Sequence, residues 1–157
     1  MAITVERATA ADIPRLTDLL LQVHAVHSAK RPDIFRRGAK KYTEDELAVI
    51  ISDESRPILV AKDDGYTVGY AFTVLSEIKD DKSLADRREM YLDDLCVDEK
   101  VRGGGIGRTL YLAVKELART LGCYHVTLNV WALNDGAMRF YEKMGLLPMK
   151  TVMEEIL

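Results

Sequence analysis

The sequence predicts a mixed α and β domain, and three observations predict it. An apolar run from Met90 to Val97 reads as a strand and breaks into the triple glycine Gly103-Gly104-Gly105, from which a helical pattern continues to Leu121. Segments of strand character and segments of helical period recur along the rest of the chain, with turn residues between them. The chain has 157 residues, enough for one substantial core, and it contains no internal repeat, low-complexity tract or linker. Residues 1–157 are therefore read as one domain.

Taken in order, Ile3 to Arg7 is a short strand. Thr9 can cap the helix that follows, with Asp12 in its first turn and Pro14 tolerated there. Ile13, Leu16, Leu20 and Val23 then mark one apolar face. A shorter helix begins at Thr43, because Thr43-Glu44-Asp45-Glu46 is a capping box, and Leu47, Ile50 and Ile51 supply its buried side. Pro57 to Lys62 is an apolar strand, and Asp63-Asp64-Gly65 signals a hairpin turn. The next strand is expected to set Val68, Tyr70, Phe72 and Val74 on one face. Residues 76–89 are charged and irregular, which predicts a loop. The helix after the glycines carries Ile106, Leu110, Ala113, Val114, Leu117 and Leu121 on one stripe. A strand from Tyr124 to Val130, a helix from about Asp135 to Met144 and a last strand through Thr151-Val152-Met153 complete the reading.

Composition narrows the function classes. Hydrophobic residues make up 48% and charged residues 30%, as in ordinary globular proteins. The net charge of -3 does not favour general nucleic-acid binding. No run approaches the ~18 apolar residues of a membrane span, and the first residues lack the basic start and apolar core of a signal peptide. Cys96 and Cys123 form no metal-like or redox pair. Both fall in predicted strands and are expected to be buried, reduced thiols, consistent with a cytoplasmic protein. Charge is uneven: residues 30–41 hold Lys30, Arg31, Arg36, Arg37, Lys40 and Lys41 against Asp33 alone. This is either a solvated loop between two helices or a basic rim that attracts phosphates or an acidic acceptor.

The glycine bend carries the chemistry. Three successive residues without side chains leave backbone N–H groups open to a ligand, and a helix starting there adds unpaired N–H groups and the positive end of its dipole. That arrangement suits a phosphate. Two familiar phosphate loops fail on spacing. Ending a Walker loop at Gly107-Arg108-Thr109 puts Arg102 where its first glycine belongs and Arg108 where its lysine belongs. A dinucleotide fingerprint started at Gly103 ends on Arg108, and one started at Gly105 ends on Leu110.

What fits is Arg-x-x-Gly-x-Gly, from Arg102 to Gly107. Here the chain resembles the GNAT superfamily of acetyl-CoA-dependent N-acetyltransferases, in which such a segment binds the pyrophosphate of coenzyme A. Downstream, Asn134, Ala137, Phe140-Tyr141-Glu142-Lys143 and Gly145-Leu146 look like the superfamily's second signature. The resemblance is close over residues 88–157 and rests on element order before that. It implies a central mixed, mostly antiparallel sheet flanked by about four helices. It implies cofactor contacts at Arg102, Gly103, Gly104, Gly105, Ile106, Gly107 and Arg108. It adds backbone contacts to the pantetheine arm from Leu95, Cys96 and Val97, where their strand splays from the next.

Acetyl transfer to an amine needs a neutral amine, a polarised thioester carbonyl and a proton for the departing thiolate. Tyr141 is the candidate acid, since a phenol is protonated at neutral pH. Asn134, Met138 and Tyr141 share a helical face, and by resemblance Asn134 touches the cofactor, though asparagine is also a routine N-cap. For the base, Asp93 comes first, because polyamine acetyltransferases of the superfamily carry an acidic residue there; Asp94 comes second, and a chain of waters is the superfamily's third option. Strict alternation would send Tyr91, Asp93 and Leu95 to one side and Leu92, Asp94 and Cys96 to the other, unless a bulge intervenes. The resemblance implies direct transfer without an acyl relay through Cys96, and it needs no metal. His24 and His27, spaced i, i+3, lack a third ligand of diagnostic spacing. They could instead border the acceptor pocket, with Phe35 and Trp131 as pocket wall or packing. The partners expected are acetyl-CoA and an amine: aminoglycoside, polyamine, amino acid or protein amine. A catalytically idle acyl-CoA-binding module is the alternative. The resemblance also admits a homodimer, with Lys150 to Leu157 able to pair through the final strand.

Overall fold

A computed structural model describes residues 2–157; Met1 lies outside them. Five strands form one sheet in the order β1 (Ile3–Arg7), β2 (Ile58–Asp63), β3 (Tyr66–Ile78), β4 (Arg87–Val97) and β5 (His125–Leu128). Neighbours are antiparallel except β4 and β5, which run parallel and are joined by the crossover helix α3 (Ile106–Thr120). The expected mixed, mostly antiparallel sheet with four helices is what forms. Helix α1 (Ile13–Lys30) follows a 3₁₀ turn at Ala10–Asp12, where the Thr9 N–H donates to the Asp12 carboxylate at 2.8 Å. Helix α2 (Glu44–Ile51) begins at the predicted capping box, with Glu46 N–H donating to Thr43 Oγ1 at 3.1 Å and Thr43 N–H to Glu46 Oε1 at 3.2 Å. Helix α4 (Asp135–Lys143) closes the regular structure. Among the described residues no helix is long and apolar enough to cross a membrane.

The sheet is covered on both faces, so β2 is apolar and buried from Ile58 to Ala61 rather than alternating. One face packs Ile58, Val60, Tyr70, Phe72 and Cys96 against Leu16, Leu19 and Leu20 of α1 and Leu47 and Ile50 of α2. The other packs Leu59, Ala61, Ala71, Met90 and Leu92 against Ile106, Leu110 and Val114 of α3. Phe140, Tyr141 and Met144 of α4 border this second cluster. Close approach is required at Gly69, where a Cβ would lie 2.9 Å from the Cys96 carbonyl oxygen and 3.0 Å from Leu110 Cδ1.

Four expectations need correction. Val68 does not share a face with Tyr70 and Phe72: a register shift between Ala61 and Lys62 turns it to the α3 side. The predicted loop shrinks to residues 79–86, because β3 and β4 continue as a charged hairpin with Glu77 opposite Arg88 and Ser76 opposite Glu89. The fifth strand is only His125–Leu128, and Cys123 precedes it half-buried rather than lying in a strand. Thr151-Val152-Met153 is not a strand, because residues 147–157 make no backbone hydrogen bond to any other described residue.

Candidate active site

The site is built where β4 loses its neighbour. β4 pairs with β5 only from Glu89 to Leu92, opposite His125 to Leu128. Beyond Leu92 the two strands part, so the β5-facing backbone edge of residues 93–97 has no strand against it. Leu95, Cys96 and Val97, the expected pantetheine contacts, lie along this edge. Their side chains serve the two cores, Leu95 and Val97 toward α3 and Cys96 toward α1. Only their main chain is offered to the gap.

A bulge in β4 arranges the carboxylates. Phe72 pairs with Asp94 and Thr73 with Leu92, which leaves Asp93 as the extra residue. Alternation is thereby broken, and Asp93 and Asp94 both turn toward the α1–α2 side. Asp94 Oδ2 accepts from the buried Tyr70 hydroxyl at 2.7 Å. Asp93 Oδ2 accepts from Lys41 Nζ at 2.6 Å and from the Tyr42 hydroxyl at 3.3 Å. Burial first, and the pair with Asp93 against it, set the balance for Lys41, whose pKa ends above its ordinary value. Tyr91 lies beside the pair and accepts from Asn129 Nδ2 at 3.0 Å.

Asp94 is the unusual acid. Burial pushes its pKa up from 3.8 to about 6, in part offset by the Tyr70 hydroxyl. The fold thus favours its protonated form. That contribution is complete below the unfolded value of 3.8 and is lost as pH rises through about 6. Asp94→Asn retains an oxygen for Tyr70 and is expected to raise thermal stability at pH ~8 by about 1–3 kcal/mol. The gain should shrink as pH falls through the same range. Thermal melts of both proteins across pH check this, and a pH-independent difference would contradict a buried ionised carboxylate.

Tyr141 projects from α4 into the α3-side cluster, edge-on to Tyr111 with ring centroids 6.1 Å apart and to Phe140 at 5.0 Å. Burial, then the charge of Asp94, then Tyr111 raise its pKa well above that of an ordinary phenol. It is a proton donor at every physiological pH. Cys96 is a poor nucleophile: it is 4% exposed, and burial pushes its thiol up to about 12.

At the end of β4 the chain passes through a 3₁₀ turn at Glu99–Val101 into the glycine bend. Gly103 at φ 90° and Gly105 at φ 78° adopt the left-handed conformation, and Gly105 is the N-cap of α3. A Cβ on either would meet open space, so the bend is shaped by backbone rather than by crowding. From Gly103 to Arg108 the N–H groups find no acceptor in the backbone among the described residues. Gly104, Ile106 and Gly107 complete this donor row, which presents unpaired N–H groups at the positive end of a helix fifteen residues long. A Cβ on Gly107 would lie 3.5 Å from the Phe140 ring, so α3 and α4 meet closely here. Arg102 Nε donates to the Val97 carbonyl at 3.1 Å, fastening the bend to β4. Arg108 is exposed on the first turn of α3. Buried Asp98, unremarked in the sequence, takes Arg15 at 2.6 Å and the Lys100 N–H at 3.1 Å, and so anchors the same junction to α1.

Asn134 caps α4, its Oδ1 accepting from the Ala137 N–H at 3.2 Å. His24 and His27 sit against Phe35, with centroids 5.8 and 5.0 Å away, and Phe35 meets Trp131 at 5.1 Å. These rings tie the α1–α2 connection to the segment after β5. Among the described residues no group of three or more His, Cys, Asp or Glu is placed to hold a metal ion. The basic 30–41 segment is partly neutralised. Lys30 donates to the Leu133 carbonyl at 2.6 Å, and Arg31 pairs with Asp33 at 2.8 Å and Glu154 at 2.7 Å. Tyr42, Tyr70 and Tyr91 are not legible as site residues, since no local pattern marks them, and Lys41 is legible only as one charge of the basic 30–41 segment.

The model of the Acetyltransferase (GNAT) family matches residues 21–146. The chain belongs to that family. A solved mutant of the BH1408 protein from Bacillus halodurans superposes with a TM-score of 0.94 at 30% identity, covering 98% of this chain and 99% of that one. An aminoglycoside acetyltransferase from an uncultured soil metagenomic sample, solved with sisomicin, reaches a TM-score of 0.75 at 18% identity, which shares the fold alone. Among curated proteins, the glucosamine 6-phosphate N-acetyltransferase of Trypanosoma brucei brucei is 36% identical over 55 residues, 35% of each chain. The thialysine N-epsilon-acetyltransferase of Bos taurus is 38% identical over 58 residues, 37% of this chain and 34% of that protein. The chain thus matches about a third of the length of these curated relatives.

Proposed function

We propose that this GNAT protein moves the acetyl group of acetyl-CoA directly to a primary amine. The observation that carries the reading is the parting of β4 from β5, which bares the backbone edge of residues 93–97 just before the unpaired N–H row at the start of α3. Acetyl-CoA would supply an acyl carbon activated as a thioester. The N–H groups from Gly103 to Arg108 suit its pyrophosphate, and the free edge of residues 95–97 suits the amides of its pantetheine arm. Asn134 would meet the same arm with whatever capacity its cap leaves.

Asp93 takes the ammonium proton, Asp94 adds negative charge beside it, and Tyr141 protonates the departing thiolate. Paired carboxylates near the gap favour a cationic acceptor. The test is thiol release from acetyl-CoA across polyamines, amino acids, aminoglycosides and peptides. Turnover with any of these supports an enzyme. Tight binding of coenzyme A without turnover on any of them would instead mark an idle acyl-CoA-binding module.

We also propose a homodimer that uses the C-terminal segment. Val152 at 89% and Met153 at 85% exposure stand in water, and β5 is an edge strand with one neighbour. An open strand edge beside an exposed apolar segment is an invitation to pair. Sedimentation should report a dimer, and truncation after Leu146 should leave a monomer; a monomeric full-length chain would sink this proposal.

A further inference from the structure

The amine subsite proposed above already has an amine in it. Lys41 comes from the α1–α2 connection, 52 residues from Asp93, and its Nζ lies 2.6 Å from Asp93 Oδ2. Its Nζ lies over the ring of Tyr42, 5.5 Å from the centroid, and the Tyr42 hydroxyl donates to the same carboxylate oxygen at 3.3 Å. Tyr42 is itself held, stacked on Phe72 with centroids 5.6 Å apart and receiving a 3.5 Å hydrogen bond from Arg56. A lysine ammonium on a linear chain is therefore seated on the carboxylate that takes the acceptor's proton. Lys40 and Lys41 are both exposed, but only Lys41 makes an ion pair among the described residues.

We infer that Lys41 is an internal acceptor, acetylated on Nζ by this same site when the thioester is bound and no external amine competes. The inference rests on the acetyltransferase reading and adds a modification site to it. Asp93 takes one proton from the Lys41 ammonium, and the freed nitrogen forms a C–N bond to the acetyl carbon. The C–S bond breaks, and its electron pair leaves on the thiolate, which takes its proton from Tyr141. The second proton shed by the nitrogen restores the phenol through water, and Asp93 returns its own to solvent. The products are an amide at Lys41, free coenzyme A and one proton.

The test is incubation of the full chain with acetyl-CoA alone, followed by intact mass and peptide mapping. One acetyl group should appear at Lys41 roughly tenfold or more faster than at exposed Lys40 or Lys82, since the nitrogen is already positioned. Lys41→Arg should abolish that gain, Tyr141→Phe should slow it, and a saturating linear diamine should suppress it. In the cofactor-free protein, amine-directed footprinting should find Lys41 protected relative to Lys40, with the diamine removing the protection. Acetyl spread evenly over the lysines, equal rates in Tyr141→Phe, or an unprotected Lys41 would overturn the inference. Turnover of external amines by a protein whose Lys41 stays unmodified with acetyl-CoA alone would overturn it and leave the acetyltransferase reading standing. Absence of thiol release from every amine and from Lys41 would overturn both.

Discussion

Tyr141→Phe is expected to lower kcat by about 10²–10³-fold with little change in the acetyl-CoA KM. The substitution keeps the ring that packs edge-on against Tyr111 and Phe140. It removes only the hydroxyl, so thermal stability should barely move. That separation distinguishes a proton donor from a core tyrosine. If the residue served only to anchor α4, neither rate nor stability would respond. The pH profile gives a second reading. Burial and the nearby Asp94 charge keep the phenol protonated beyond its ordinary range, so loss of the donor should not limit wild-type activity until strongly alkaline pH. A wild-type limb set by Tyr141 ionisation near neutrality would contradict this environment. Steady-state kinetics of both proteins across pH, with melts alongside, check the prediction.

Gly105→Val acts on the other end of the cofactor. The native φ of 78° is left-handed, and a β-branched residue held there costs about 1–2 kcal/mol. No protein atom lies within 4 Å of the added Cβ, so the mutant can fold around it. The branched side chain, standing in open space at the N-cap of α3, is expected to crowd a ligand held by the N–H row there. The acetyl-CoA KM should rise about tenfold or more, while kcat at saturation changes little, because the reacting end is untouched. Calorimetry with coenzyme A should show the same loss of affinity. A mutant that melts earlier yet binds coenzyme A as tightly as wild type would remove the pyrophosphate from this bend.

The legibility of the site follows the range of the forces that build it. The glycine bend was readable because its signal is local: bare residues between a strand period and a helix period. The Thr43 capping box was readable for the same reason, since all its partners lie within one turn. Tyr141 was readable only through its neighbours in the downstream signature. Asp93 and Asp94 were visible as residues, but not their common orientation. That orientation depends on a register shift opposite Phe72 and Thr73, and a register is a property of two strands. The charged ends of β3 and β4 looked like loop because each strand alone lacks apolar alternation there. Facing one another, they pair.

By itself the sequence determined the order of strands and helices up to α4, the anion-ready bend and the family, because short-range periodicity, capping and turn chemistry are written in adjacent residues. Only the tertiary structure decided which carboxylates share a face, that Lys41 rests on Asp93, and that Arg31 reaches Glu154 in a C-terminal segment that joins no strand. Each of those depends on segments far apart in the chain being brought within hydrogen-bonding reach, and strand pairing and long-range charge contacts leave no local pattern to read.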